Sequence, residues 1–321
     1  MAALARFFAS ERLRHAMPVI TLAALAAVIG IWTPQFLGVQ TLLVVAGDTA
    51  TLFIMALGVT FVILIGGIDL SIQSVASLAS VVVALTLTRT SLGYLAFVFA
   101  ALAGAAAGLI SGVAHVKLRI PSFIATLAVG GVAAGLALII SGARSIELGE
   151  SDRAYLGWIA GTSFGIPHEV IIGGVALLLA LFILHFTLFG RYIKAVGAGE
   201  AAAYASGIDV GRQKIVACVL SGAFAGFAGG MLSARLASGS PTLANELLLP
   251  AIAAVIVVGT AITGGIGGAG RTLIGALIIS VVRIGMTFVG VDIFAQQIVF
   301  GVVLILAVAA TIDRSKIPII K

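Results

Sequence analysis

The side chains equipped for chemistry are few, and the densest group lies at Leu64-Ile65-Gly66-Gly67-Ile68-Asp69-Leu70-Ser71-Ile72-Gln73-Ser74. Two glycines, a carboxylate, two hydroxyls and an amide separate two apolar runs there. A carboxylate in such surroundings is costly unless it faces water, a partner or a substrate. The glycines let the backbone unwind, and Asp69 or Ser71 could then cap the helix that follows. Capping and lining a polar passage are compatible roles, and the spacing leaves both open.

A second break reads Gly264-Gly265-Ile266-Gly267-Gly268-Ala269-Gly270-Arg271. It contains a G-x-G-x-x-G string, with Asp292 downstream at a distance suited to a ribose contact. That fingerprint needs a βαβ unit, and the flanking segments are long apolar runs, so the match is coincidental. Both breaks share Gly-Gly-Ile, a hint of internal duplication. Other catalytic patterns are missing. There is no H-E-x-x-H, and His15, His115, His168 and His185 lack ligand spacing. No G-x-S-x-G elbow occurs. None of the five lysines follows a glycine, so there is no G-x-x-x-x-G-K-[ST] loop to hold ATP. The single cysteine, Cys218, sits in an apolar run and reads as packing.

The elements that must position these residues follow from composition. Of 321 residues, 61% are apolar and only 9% charged, for a net charge of +6. A soluble domain carries about 25% charged residues, and so sparse a set cannot cover a globular surface. The fold class is therefore all-α, a polytopic membrane helix bundle. Apolar runs predict about ten transmembrane helices at 17–33, 49–65, 72–88, 92–113, 123–143, 170–189, 215–234, 250–263, 272–290 and 293–312. The runs at 49–65, 72–88 and 250–263 are short, as tilted or broken helices would be. Residues 17–312 form the membrane domain, 1–16 a cytoplasmic N-terminal segment and 313–321 a cytoplasmic tail. Trp32-Thr33-Pro34 is a poor signal-peptide cleavage site, so the first helix is expected to be retained.

Thirteen Lys/Arg fall on one side of this arrangement and four on the other, with Arg283 inside a span. That asymmetry predicts N-in, C-in, and it accounts for the basic balance without nucleic acid. Small residues recur every fourth position at Gly104/Gly108/Gly112, Gly131/Gly135 and Gly222/Gly226/Gly230, a spacing that lets helices approach closely.

The longest inside loop, 190–214, carries Glu200-Ala201-Ala202-Ala203-Tyr204-Ala205-Ser206 closed by Gly207. This predicts a short helix with a glycine stop. So short a helix must dock to persist, either on its own bundle or on a partner.

Four stretches together resemble the membrane permeases of monosaccharide-type (ribose-like) ATP-binding-cassette importers. Gly66–Ser71 is similar to the family's G-G-I-D-L-S, and Ile120-Pro121-Ser122-Phe123-Ile124-Ala125-Thr126-Leu127 to its I-P-x-F-I-x-T-L. Residues 190–208 resemble its coupling segment, and 246–276 its E-L-D-A-I-A-A…G-G-x-G…G-x-x-x-G-A stretch. The chain departs from the pattern at Gln73 (usually Gly), Gly199 (usually Asn), Tyr204 (often Arg) and Pro250, where an acid usually stands. The superfamily also contains branched-chain amino-acid permeases, although G-G-I-D-L-S favours sugar. A self-contained ion-coupled transporter would need buried carboxylates, for which only Asp69 and Asp48 qualify.

The resemblance implies a permease subunit in a bacterial inner membrane, with no cofactor of its own. ATP and Mg²⁺ would be held by separate ATPase subunits docked on a coupling helix at Glu200, Ala201, Ala202, Ala203 and Gly207, flanked by Arg191 and Lys194. A substrate-binding protein would deliver sugar, and a second permease copy or homologue would complete the pathway. Asp69, Ser71 and Gln73 are the expected pathway residues, with Asn245 and Glu246 near the outside.

Overall fold

The computed structural model describes residues 11–311. The predicted ends, including Arg6 and the tail with Arg314, Lys316 and Lys321, lie largely outside the described residues. Within them the chain is a polytopic helical bundle. Seven helices are long and apolar enough to cross a bilayer: α2 (Val39–Leu64), α3 (Ile72–Arg89), α4 (Ala96–Lys117, extended by a 3-10 turn at Gly93–Leu95), α5 (Ser122–Ser141), α8 (His168–Phe186), α11 (Val210–Leu236) and α13 (Ala269–Phe288). Shorter apolar stretches occupy α1 (Glu11–Trp32), α12 (Leu248–Ile256) and α14 (Ile293–Thr311).

Each expected span has a helix; most bounds shift by up to six residues, and two differ further for physical reasons. Helix α2 begins at Val39, ten residues earlier than expected, because Asp48 is held by arginines of other helices and need not end the span. Helix α12 stops at Ile256, so the expected span 250–263 is a half-helix. Nine residues rise about 13.5 Å, under half of a hydrocarbon core about 30 Å thick.

Helix α2 is the axis of the bundle, buried on every face from Thr49 to Leu64, as a helix apolar all round must be. Helix α11 packs along α4, α2 and α3, and two of the glycine stripes meet there. A side-chain carbon at Gly104 would collide with the Gly222 carbonyl, one at Gly222 with that of Gly104, and one at Gly108 with that of Cys218. The backbones are that close because glycines face each other. The Gly131/Gly135 stripe behaves differently: a methyl at either position would meet nothing within 4 Å, so in the described chain it packs no helix.

The all-α expectation is modified only by two-residue ladders. Ile146–Glu147 (β1) pairs antiparallel with Ser238–Gly239 (β4), and Thr162–Ser163 (β2) with Ile166–Pro167 (β3). Short helices α6 (Glu150–Ala154) and α7 (Gly157–Ala160) lie in the same connection, which buries Leu148, Leu156 and Ile159.

Candidate functional site

The break after α2 is closed by Asp69. Its Oδ1 accepts from the Ser71 backbone N–H at 2.9 Å and from Ser71 Oγ at 2.6 Å, and its Oδ2 accepts from Ser221 Oγ of α11 at 2.7 Å. Asp69 and Ser71 are each only 2% exposed. The first pair of bonds is an Asx turn that sets the entry to α3; no side chain caps that helix at its N-terminus, which differs from the expected N-cap. In this state both carboxylate oxygens are committed inside the chain.

The Gly66–Ser71 and Ile120–Leu127 stretches form one unit. Ser122 Oγ accepts from the Ile68 N–H at 3.1 Å, and Thr126 Oγ1 from the Leu70 N–H at 3.0 Å. The unwound backbone of 68–70 is thus satisfied by two hydroxyls of α5, as non-helical chain at membrane depth requires.

A second stretch of irregular chain runs from the end of α11 to α12. Ser80 Oγ donates to the Ser240 carbonyl at 3.1 Å, and the Ala244 N–H donates to Ser77 Oγ at 3.0 Å. Segment 237–247 therefore lies along α3, and the half-helix starts beside Ser77 inside the bundle. Asn245 and Glu246 head that half-helix and are exposed. Gln297 of α14 donates to the Glu246 carboxylate. Gln73 is half-buried on α3, one turn before Ser77. Gln73, Ser77 and Ser80 follow i, i+4, i+7 spacing and so share one face of α3. The structure brings Asn245 and Glu246, next to Ala244, toward the polar face of α3.

The expected coupling segment, 190–214, is more helical than a loop. Helix α9 (Leu188–Ala198) is separated from α8 by extended backbone at Thr187, whose Oγ1 caps its first turn by accepting from the Gly190 N–H at 3.2 Å. It buries Gly190, Ile193 and Val196 and leaves Arg191 exposed and Lys194 half-buried. Helix α10 (Glu200–Ala205) follows. Gly207, at φ 81°, ends it, with its N–H bonded to the Tyr204 carbonyl and that of Ile208 to Ala203. Ala203 anchors the helix, 4% exposed, and Glu200 pairs with Lys214 at 2.7 Å. Ala201 and Ala202 are exposed, and Tyr204 is 75% exposed.

At the end of α9 the two Gly-Gly-Ile breaks meet. The Gly265 N–H donates to the Leu64 carbonyl at 2.9 Å. Gly197 lies on this junction so tightly that a methyl there would collide with the Leu64 carbonyl and the Gly265 nitrogen. The G-x-G-x-x-G string belongs to this junction; a half-helix and a turn precede it, with no strand.

Sequence reasoning missed a charge cluster at the opposite end. Asp48 of α2 accepts from Arg235 of α11 at 3.2 Å and from Arg283 of α13. Glu169 of α8 is buried nearby against Gly47. Asp48 beside an expected span and Arg283 inside one were the available signal, but partners 187 and 235 positions away cannot be read from spacing. Asp48 and Asp69 are both engaged, and Glu169, 6% exposed, is a third buried carboxylate beyond the two the sequence offered. Among the described residues no three His, Cys, Asp or Glu side chains are grouped to hold a metal.

Residues 41–308 match the family described as branched-chain amino acid transport system / permease component. The ribose import permease protein RbsC of Escherichia coli (strain K12) is 39% identical over 314 residues, 97% of each chain. That of Bacillus subtilis (strain 168) is 36% identical over 299 residues, 93% of this chain and 92% of the relative. The L-arabinose ABC transporter permease protein AraH of Azospirillum brasilense is 33% identical over 290 residues, 90% of this chain and 85% of the relative.

Proposed function

The chain belongs to the branched-chain amino acid transport system permease-component family, and from that premise we propose that it is the membrane-spanning subunit of an ATP-driven sugar importer. The relatives named for ribose and arabinose support sugar over an amino acid as cargo. The chain is not itself an enzyme in this reading: ATP and Mg²⁺ belong to separate ATPase subunits, a binding protein delivers the sugar, and a second permease copy or homologue completes the passage. The membrane is the bacterial inner membrane, crossed or entered by ten helical segments with both chain ends in the cytoplasm.

The observation that carries this reading is the junction at Gly197. Helix α10 presents Ala201, Ala202 and Tyr204 outward, while the chain just before it touches the ends of both unwound segments. A push on α10 by a nucleotide-driven neighbour would move the 66–71 and 264–268 breaks together. Those breaks hold the inner ends of α2, α3 and α13, so the displacement biases a two-state bundle. Asp69 and Ser71 organise the first break. Gln73, Asn245 and Glu246 lie on polar, accessible chain and offer hydroxyl-matching contacts to a passing sugar, whose tight capture is left to the binding protein.

The test is transport by the complete assembly in proteoliposomes. Import of D-ribose or L-arabinose should require ATP and the ATPase subunits. Sugar uptake by this chain alone, without ATP, would show that it is a self-contained transporter.

A further inference from the structure

We propose that the cleft between α8 and α11, at the end of the bundle holding Arg235, binds one phospholipid whose headgroup carries a primary ammonium. Glu169 is 6% exposed, and its Oε1 has no hydrogen-bond partner among the described residues. It lines a 340 Å³ cavity with Gln40, Val44 and Arg235. A buried carboxylate oxygen without a donor is costly, and the nearby arginines are already drawn to Asp48. An ammonium beside Glu169 would hold it ionised, and the charges of Asp48, Glu169, Arg235 and Arg283 then sum to zero, so the fitting ligand is neutral overall while still donating to Glu169. An ammonium does that, and a phosphate beside it accepts from the remaining N–H groups of Arg235, since a guanidinium has five.

The surroundings specify a lipid. Beside the cavity an apolar groove of 310 Å³ runs between α8 and α11, lined by Ile172, Val175, Leu220, Phe224 and Phe227. A second, of 520 Å³, runs between α4 and α11, lined by Phe97, Leu102, Trp158 and Phe227. Ala223 and Phe227 border both grooves, so the two lie astride one ridge. Helix α7 joins the second groove to the polar cavity: Trp158 lines that groove, while Ile159 and Ala160 line the cavity. One polar chamber with two apolar channels matches a headgroup with two acyl chains. Choline lacks an N–H to give Glu169, and a glycerol headgroup would add a net negative charge beside it.

The test uses the purified complete transporter in nanodiscs of equal phosphatidylethanolamine, phosphatidylcholine and phosphatidylglycerol, with mass spectrometry of the lipid retained after detergent extraction. The wild type should retain phosphatidylethanolamine about tenfold over the other two, the ratio expected from one hydrogen bond worth about 1.4 kcal/mol. Glu169→Gln should remove the preference, and Ala223→Phe should lower retention of all three. The wild-type comparison with phosphatidylcholine needs no variant and stands if Glu169→Gln fails to fold. Equal retention of the three lipids by the wild type, or an unchanged preference in Glu169→Gln, overturns the proposal. So does cross-linking between cysteines placed at Val175 of two copies, because a second protein would then cover this face.

Discussion

Removing the hydroxyl of Ser221 or the carboxylate of Asp69 should produce strongly non-additive losses, and the size can be worked from the hydrogen bonds. Ser221→Ala deletes one bond, from Ser221 Oγ to Asp69 Oδ2 at 2.7 Å, and leaves the carboxylate two others. Side-chain hydrogen bonds in membrane bundles average about 0.6 kcal/mol with a maximum near 1.7, and a charged acceptor puts this one at the upper end, about 1–2 kcal/mol. Asp69→Ala strands three donors. The Ser221 hydroxyl can rotate to a backbone carbonyl one turn back in α11, but Ser71 follows unwound chain, so its buried hydroxyl and its N–H are both stranded at about 1–3 kcal/mol each. The total loss is therefore about 3–4 kcal/mol, whereas Asp69→Asn keeps an acceptor for Ser71 and loses about 1 kcal/mol. Adding Ser221→Ala to Asp69→Ala should cost nearly nothing further, giving a coupling energy of about 1–2 kcal/mol. The assay is denaturant titration of the detergent-solubilised protein, read by helical circular dichroism. Additivity within about 0.5 kcal/mol would refute the cluster as the element tying the break to α11.

The glycine stripes should separate by position: Gly104→Leu, driven into the Gly222 backbone, should lose about 2 kcal/mol or more of stability in the same titration, whereas Gly131→Ala, with open space around it, should gain a few tenths to about 1 kcal/mol from helix propensity. Gly197→Ala pushes a methyl into Leu64 and Gly265; sugar-stimulated ATPase activity of the complete transporter should fall while the chain still inserts, and unchanged import would break the proposed link between α10 and the two breaks. Lys214→Ala removes the ion pair with Glu200, whose side chain is 60% exposed; stability should change by no more than about 0.5 kcal/mol, because Ala203 and the turn at Gly207 hold α10, and a large loss would show that the pair anchors it.

The sequence-legible features were those whose cause is local. Residues 200–206 followed by Gly207 predict the short helix that the structure places at Glu200–Ala205, because good helix formers and a glycine stop act within one turn. The Gly104 and Gly222 stripes were legible for the same reason, since i, i+4 spacing fixes a face. Gly131 and Gly135 have that spacing too and pack against nothing in the described chain; spacing names a face and cannot name what lies opposite. The stop of α12 at Ile256 was hidden because Val257 and Val258 continue the apolar run, while the irregular chain ahead of the helix is stabilised by Ser77 and Ser80, more than 150 positions away. Asp69 was recognisable as a costly carboxylate, but its partner on α11 belongs to the tertiary fold. The same holds for Asp48, Arg235 and Arg283, each odd in sequence and coherent only as a cluster.

The central claim is that this subunit is worked from outside itself, through the face of α10. The most direct measurement places a photo-crosslinking amino acid at Tyr204, 75% exposed on that face, in the complete transporter within native membranes. The account predicts an adduct with the nucleotide-hydrolysing subunit, at a yield that changes when ATP is bound. Illumination that gives adducts to lipid or to this chain alone, with and without ATP, would contradict it.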